Sequence, residues 1–388
     1  MEIKKQLSIL KRGTVEIISE ESLIKKLEKS KRNKKPLRVK AGFDPTAPDI
    51  HLGHTVLLNK LRQFQDLGHV VYFLIGDFTG MIGDPSGKNE IRKRLTLSEV
   101  KKNAITYKRQ VFKILNPKRT KVVFNSRWLK KLDSLKLLNL SSHITVAQML
   151  ARADFSQRYS QGKDISLLEF FYPLLQAYDS VYLKADIELG GTDQKFNLLL
   201  GRELQKDFSL EEQVVMMLPL LEGTDGINKM SKSLDNYIGI NEPANEMFGK
   251  IMSITDELML RYFELLTVED LKSVKQLHPR EAKVNLAQLI VERFYNKLAA
   301  DQARENFEKI FSQKGVPSDL ESYKLVNNEI ILELLVNTKL VKSKNEARRL
   351  IKQQAVSLDS LKITSEDTVI DKSGILKVGS RRFIKLTE

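Results

Sequence analysis

The chain of 388 residues has no cysteine, a single tryptophan and five histidines. The missing thiols exclude disulfide scaffolds, thiolate zinc sites, iron–sulfur clusters and thiol nucleophiles together. No apolar run approaches the roughly 18–20 residues that cross a bilayer, so no membrane span is expected. The start mixes lysines with single apolar positions and lacks the continuous apolar stretch of a secretory leader. A cytoplasmic location is the expectation.

What the chain has is length and basic charge. Its 388 residues suffice for two or three domains, and 41% hydrophobic with 29% charged residues reads as globular. The formal net charge is +15, and it is uneven. Residues 1–40 carry 13 Lys/Arg against 5 Asp/Glu, residues 86–136 carry 16 against 3, and residues 326–388 carry 12 against 8. The remainder is net −10. Clustered basic segments fit a polyanion partner, because they displace phosphate counterions; a solvated basic surface is the other reading of the same charge.

Residues 37–43 alternate and close on glycine, and residues 70–75 form a compact apolar run; both read as strands. Between them Val56, Leu57, Lys60, Leu61 and Phe64 recur at helical spacing, which makes a βαβ unit and predicts a parallel sheet. Helices are predicted over 98–115, 141–159 and 167–178, with a buried strand at 181–183 and a further apolar run at 214–221. A polar loop follows at 222–235. From 243 to 311 the pattern is almost entirely helical, and 313–318 has linker composition. In the last sixty residues, Ser343-Lys-Asn-Glu346 fits a capping box opening a helix with Ala347, Leu350 and Ile351 inward. Lys344, Arg348 and Lys352 share its outer face, and short alternating runs complete a small α+β module.

Three loops carry chemistry. Gly42-Phe-Asp-Pro-Thr-Ala-Pro-Asp-Ile-His-Leu-Gly-His54 leaves the first strand and delivers His51 and His54 to the start of a helix, where free N–H groups and the dipole favour phosphate. Alone, the two histidines read first as a surface helix cap; at the first crossover of a parallel sheet they read as a nucleotide site. Gly76, Gly80, Gly83 and Gly87 mark a second loop of close backbone approach. It lacks Gly-x-Gly-x-x-Gly, and Gly87-Lys88 is followed by Asn89, so dinucleotide and P-loop readings of the loop are disfavoured. Lys229-Met-Ser-Lys-Ser233 sets two lysines and two hydroxyls on a loop able to fold over a triphosphate and stabilise charge on a leaving diphosphate. Asp179 follows two aromatic residues on a mostly apolar helix, so its carboxylate is expected in a pocket, the other reading being a surface acid at a helix end. A buried acceptor of this kind rejects a ligand lacking the hydroxyl.

Taken together these motifs resemble the class I aminoacyl-tRNA synthetases, and within them the tyrosyl branch of bacterial type. His51-Leu-Gly-His54 is similar to the first class signature and Lys229-Met-Ser-Lys-Ser233 to the second. Gly42-Phe-Asp-Pro-Thr46, Gly83-Asp-Pro-Ser-Gly87, Tyr172 with Gln176-Ala-Tyr-Asp179, and Gly190-Gly-Thr-Asp-Gln194 resemble the tyrosyl branch. The resemblance implies a Rossmann-like parallel-sheet catalytic domain over 1–236, with 86–150 as a basic connective and dimer region and 222–235 as the signature loop. An α-helical anticodon-binding domain over 237–318 and a small α+β RNA-binding domain over 326–388, of ribosomal-protein type, would follow.

The same resemblance implies residue roles. His51, His54, Lys229, Lys232, Ser233 and Thr46 would serve catalysis on the ATP phosphates. Gly42, Asp44, Gly53, Gly191, Asp193 and Met230, with Lys232, would bind ATP, Gly53 lying against the adenine and Gly191 and Asp193 meeting the ribose. Tyr172, Gln176, Asp84 and Gln194 would surround the ammonium and carboxylate of tyrosine, and Asp179 would accept its phenol hydroxyl. Lys344, Arg348 and Lys352 would meet RNA. The implied substrates are Mg²⁺-ATP, L-tyrosine and tRNA(Tyr), with no resident metal or organic cofactor, and the implied assembly is a homodimer. A tryptophanyl enzyme and a catalytically inactive tRNA-binding relative are the alternatives. The chain departs from the branch pattern at Lys40, where a tyrosine is common, at Glu188, where glutamine is, and at Lys195, where tryptophan is. In the terminal module, Gln353-Gln-Ala and Asp359-Ser replace glycine-bearing turns.

Overall fold

A computed structural model describes residues 1–45, 49–86, 96–312, 320–325, 329–359, 361–379 and 382–387. Thr46, Gly87, Lys88 and the 313–318 linker lie outside them. The chain divides into two compact units, Met1–Lys297 and Leu298–Glu388.

The first unit opens with α1 (Ile3–Lys11), β1 (Glu16–Ile18) and α2 (Glu20–Asn33). The βαβ unit follows as β2 (Arg38–Phe43), α3 (Leu52–Asp66) and β3 (Val70–Ile75), in the expected places. Helix α4 (Leu97–Val111), opened by a Thr96/Glu99 capping box, leads to β4 (Thr120–Phe124). Short helices α5 (Ser126–Leu129), α6 (Ser134–Ser141), α7 (Val146–Leu150) and α8 (Ala153–Ser160) come next, then the long α9 (Leu167–Leu183). Strand β5 (Ile187–Gly191), α10 (Lys195–Asp207) and β6 (Val214–Leu218) complete the sheet. Among the described residues six strands form it, in the order β1-β6-β5-β2-β3-β4, all parallel except β1.

Two expectations are corrected here. Residues 181–183 are not a strand but the last turn of α9: Val181 is buried on the helix's inner face, and Lys184 at φ +48° closes the helix before β5. The expected helix over 141–159 is broken into pieces, because Thr145 caps a fresh start through its bond from the Gln148 N–H.

Helices α11 (Ala244–Met252), α12 (Asp256–Leu266), α13 (Leu271–Val274) and α14 (Pro279–Phe294) form the expected all-α stretch. It belongs to the first compact unit: α12 packs on α3, and the Tyr262 hydroxyl donates to the Glu222 carbonyl at 2.9 Å. The division between the two compact units falls inside α15 (Lys297–Ser312). Beyond it the second unit has β7 (Ser322–Lys324), β8 (Glu329–Ile330), α16 (Ile331–Asn337), α17 (Lys344–Lys352), β9 (Val356–Leu358), β10 (Leu361–Lys362), β11 (Val369–Ile370), β12 (Gly374–Val378) and β13 (Arg382–Thr387). Its own core includes Leu334, Leu335, Ala347, Ile351, Val356 and Leu376. The two departed turns do need a left-handed residue, Gln354 at φ +53° and Asp359 at φ +45°.

Candidate active site

The strand order reverses between β2 and β5. From β2 the chain moves outward through β3 to β4, and from β5 it moves the other way to β6, so a crevice opens at the carboxyl ends of β2 and β5. A cavity of about 630 Å³ occupies this place. Every described residue expected to serve catalysis, ATP or tyrosine lines it.

At one end stands the start of α3. His51 is its N-cap and its backbone N–H donates to His54 Nδ1 at 3.3 Å, with the rings 3.9 Å apart. Burial holds both imidazoles neutral: His51 is pushed down to about 2 and His54 to about 4, with the Lys232 charge adding in each case. They therefore serve as neutral hydrogen-bonding groups, and the positive charge of this end comes from lysine. His51 Nδ1 is buried without a hydrogen-bond partner. A Cβ on Gly53 would come within 3.0 Å of the His51 ring, so glycine keeps the helix start open.

The signature loop closes this end. The Gly53 N–H donates to Met230 Sδ at 3.2 Å, and the Leu52 N–H to the Ile238 carbonyl at 2.9 Å. Lys232 Nζ sits 3.1 Å from Asp49 Oδ2, and Lys229 Nζ 3.7 Å from Asp193 Oδ2. Both lysines thus rest on carboxylates, and the Lys232 charge acts on both histidines of the α3 start. Buried Asn236 organises the loop: its Oδ1 accepts from the Ser231 N–H at 2.8 Å, and its Nδ2 donates to Asp225 at 3.0 Å and to the Lys229 carbonyl at 3.2 Å.

Polar groups converge in the middle. Gln194 Nε2 donates to Asp84 Oδ2 at 2.8 Å, and Asn197 Nδ2 donates to Gln194 Oε1 at 3.0 Å and to Gln176 Oε1 at 2.9 Å. Behind them Arg152 fixes Asn197 at 3.0 Å and the Ser86 hydroxyl at 3.1 Å. The Tyr172 hydroxyl donates to Asp44 Oδ2 at 2.9 Å, and Thr79 Oγ1 to Asp44 Oδ1 at 2.9 Å. The acceptors Asp84 and Gln176 suit an ammonium group.

At the far end Asp179 is buried on the inner face of α9, not at a surface helix end. Its carboxylate accepts from Trp128 Nε1 at 2.7 Å and Asn125 Nδ2 at 3.2 Å. Burial raises it to about 7 against the opposing pull of Lys40 and these two donors. Sequence reasoning missed Asn125, Trp128, Arg152, Asn197 and Asn236, each reaching its partner across a long stretch of chain or from a loop. The one available signal was that Trp128 is the chain's single tryptophan.

This geometry has relatives. Residues 31–312 match the family of tRNA synthetases class I (W and Y), and residues 306–379 match the Tyrosine--tRNA ligase SYY-like C-terminal domain. The Tyrosine--tRNA ligase of Desulfotalea psychrophila is 54% identical over 397 residues, covering 99% of this chain and 98% of the relative. That of Geobacter metallireducens is 54% identical, covering 100% and 99%. The chain belongs to the tyrosine--tRNA ligases of class I. Among solved structures, a C-terminally truncated mitochondrial tyrosyl-tRNA synthetase of Aspergillus nidulans matches in fold with a TM-score of 0.66 at 22% identity, covering 80% of this chain and 94% of that one. The tyrosyl-tRNA synthetase of Archaeoglobus fulgidus, solved with L-tyrosine, matches with a TM-score of 0.63 at 25% identity, covering 78% and 100%. The tryptophanyl alternative is not favoured beside full-length tyrosine--tRNA ligase relatives.

The departures from the branch pattern separate. Lys195 leaves the cavity and pairs with Glu16 at 2.7 Å on the surface. Lys40 and Glu188 stay inside it and pair with each other at 2.9 Å. In the second unit Lys344, Arg348 and Lys352 are exposed on α17 as expected, with Lys344 on Glu333 and Arg348 on Glu366, each at 2.8 Å. The Ser343 cap is present, while Glu346 accepts from the Lys342 N–H and not from the cap residue. Among the described residues no helix is long and apolar enough to cross a membrane.

Proposed function

We propose that this tyrosine--tRNA ligase family member binds L-tyrosine at the Asp179 end of the cavity and Mg²⁺-ATP at the His51 end, and joins them. A tyrosine carboxylate oxygen attacks the α-phosphorus in line. The new bond is carboxyl O–P, the α–β bridging P–O bond breaks, and diphosphate leaves as its Mg²⁺ complex. A ribose hydroxyl at the 3′ end of tRNA(Tyr) then attacks the tyrosyl carbonyl and AMP departs. No protein nucleophile is needed; positioning and charge stabilisation carry the rate.

The observation that carries this reading is one cavity with a helix start and two lysines at one end and a buried carboxylate at the other. In it Lys229, Lys232 and Ser233 close on the triphosphate, and His51 and His54 donate to it as neutral groups. Gly42, Asp44, Gly53 and Met230 border the nucleotide, with Gly191 and Asp193 at the ribose. Asp84, Gln176, Gln194 and Tyr172 take the ammonium and carboxylate, and Asp179 the phenol hydroxyl. Thr46, outside the described residues, keeps the role that the resemblance gives it.

The partners follow from the same reading. Residues 237–318 would face the anticodon side and 326–388 would bind RNA, with Lys344, Arg348 and Lys352 trading surface carboxylates for phosphates. A second copy of the chain would cover the exposed apolar side chains Leu135, Leu138, Val146, Tyr159 and Leu167. The compartment is that of tRNA charging, the cytoplasm. Amino-acid-dependent ATP–diphosphate exchange tests the reaction, tRNA charging tests the second step, and light scattering tests the dimer; exchange without tyrosine preference would remove the assignment of the cavity.

A further inference from the structure

Two charged side chains at the ring end of the cavity have no part in the reaction as written. Lys40 and Glu188 are 1% and 2% exposed, and they are register partners across the β2/β5 pairing at which the strand order reverses. Lys40 Nζ lies 2.9 Å from Glu188 Oε1, and it donates to Ser180 Oγ at 2.7 Å and to the Gln176 carbonyl at 3.1 Å. An ammonium has three donors, so each is used. The other Glu188 oxygen accepts from Ser180 Oγ at 2.7 Å and from Gln213 Nε2 at 2.5 Å.

Burying such a pair costs desolvation that its attraction barely offsets, and apolar side chains of the same volume would hold two strands as well. Holding strands together is therefore a weak reason for it. Its bonds point to another: Ser180 follows Asp179 on α9, and Gln176 precedes it by three residues on the same helix. We propose that Lys40, held by Glu188, is a positioning residue for Asp179: it pins α9 on both sides of that carboxylate and supplies the positive charge that keeps it an acceptor for the substrate's hydroxyl. This rests on the reading of Asp179 as the acceptor of the tyrosine phenol.

Asp179 faces Lys40 from β2, Glu188 from β5, and the uncharged donors Asn125 and Trp128 beside β4 and on α5. Asp44 joins the same network through Thr79 and Asn125, and Tyr172 reaches Asp44 from α9 itself. Burial drives the Asp179 carboxyl up, Lys40 pulls it down, and Glu188 adds a smaller upward push. Removing Lys40 therefore moves its titration to higher pH, and neutralising Glu188 with Lys40 in place moves it to lower pH.

The test is the KM for tyrosine in ATP–diphosphate exchange from pH 6 to 9 for the full chain and for Lys40→Met, Glu188→Gln and Asp179→Asn. Lys40→Met should raise the tyrosine KM at pH 6 by about tenfold for each unit its midpoint moves, and at pH 7 by about fivefold for the first unit, with the loss recovered towards high pH. Glu188→Gln should move the midpoint the opposite way, and the KM for ATP should stay unchanged in both. If Lys40→Met does not fold, Lys40→Met/Glu188→Met removes the orphaned acid and should show a displacement that is still upward but smaller, because the upward push of Glu188 goes with it. A Lys40→Met loss that is flat with pH, or displacements of the same sign in the two single variants, overturns the proposal. If Asp179→Asn loses tyrosine at every pH while Lys40→Met is flat, only the role of Lys40 fails. If Asp179→Asn keeps the wild-type tyrosine KM, the phenol reading fails and the role of Lys40 with it.

Discussion

The backbone N–H of Gly53 points at the sulfur of Met230, 3.2 Å away, and so joins the two signature segments. One sits at the start of α3 and the other on the loop after β6, and Lys232 of that loop acts on His51 and His54 at the helix start. The residues that would meet the phosphates are thus assembled by backbone and sulfur contacts, with Lys229 and Lys232 resting on Asp193 and Asp49.

In the proposed reaction, Lys232→Ala removes a charge that would meet the leaving diphosphate. Adenylate formation should slow by about 10²–10³, the usual loss for one such group, while tyrosine affinity changes little. Single-turnover adenylate formation together with equilibrium tyrosine binding separates the two. Weaker tyrosine binding at a normal rate would remove Lys232 from this role.

Acidity should act on tyrosine and not on ATP. Asp179 titrates near 7 because it is buried, and only its ionised form accepts the phenol hydroxyl without donating in turn. Tyrosine KM should therefore rise as pH falls through about 7. His51 and His54, held down at about 2 and 4, are neutral throughout, so no limb at their ordinary value of 6.5 is expected in the KM for Mg²⁺-ATP. A pH series of both constants checks this.

Gly223→Ala should disable the signature loop without touching the tyrosine end. A Cβ there would stand 2.3 Å from the Asn236 side chain and 2.5 Å from its carbonyl oxygen, forcing apart the residue that organises residues 225–231. The expected result is a raised KM for ATP and slowed activation with unchanged tyrosine binding, read by exchange kinetics.

The second unit offers a stabilising change. Gln354 holds φ +53° at the turn after α17, and glycine there relieves a left-handed strain at some cost in chain entropy. Gln354→Gly should add about 0.5–1 kcal/mol to the local opening free energy of the turn. Hydrogen exchange at the Ile351 and Val356 amides measures it.

Much of this was legible in the sequence because it is local. The βαβ unit shows in the period of Val56, Leu57, Leu61 and Phe64 between two apolar runs, and the site loops show in glycine, proline and histidine at fixed spacing. Asp179 was legible as a charge on an apolar helix. What was not legible depends on partners far apart in sequence. Trp128 and Asn125 meet Asp179 from more than fifty residues away, and nothing near either marks it as a donor to a buried acid. The strand expected at 181–183 failed because a short apolar run serves a helix face as well as a strand, and the left-handed Lys184 that decides between them carries no glycine signal. Lys40 and Glu188 stand far apart in the sequence as separate departures, and the register of β2 and β5 sets them side by side.

The most direct measurement is ATP–diphosphate exchange without tRNA against each standard amino acid, for the wild-type chain and for Asp179→Ala. The wild type should exchange with tyrosine and reject phenylalanine, as tyrosyl-tRNA synthetases, the reference case for such discrimination, are known to do. Asp179→Ala should lose most of its preference between the two. Exchange driven by tryptophan, or an Asp179→Ala variant that still rejects phenylalanine, would contradict the account.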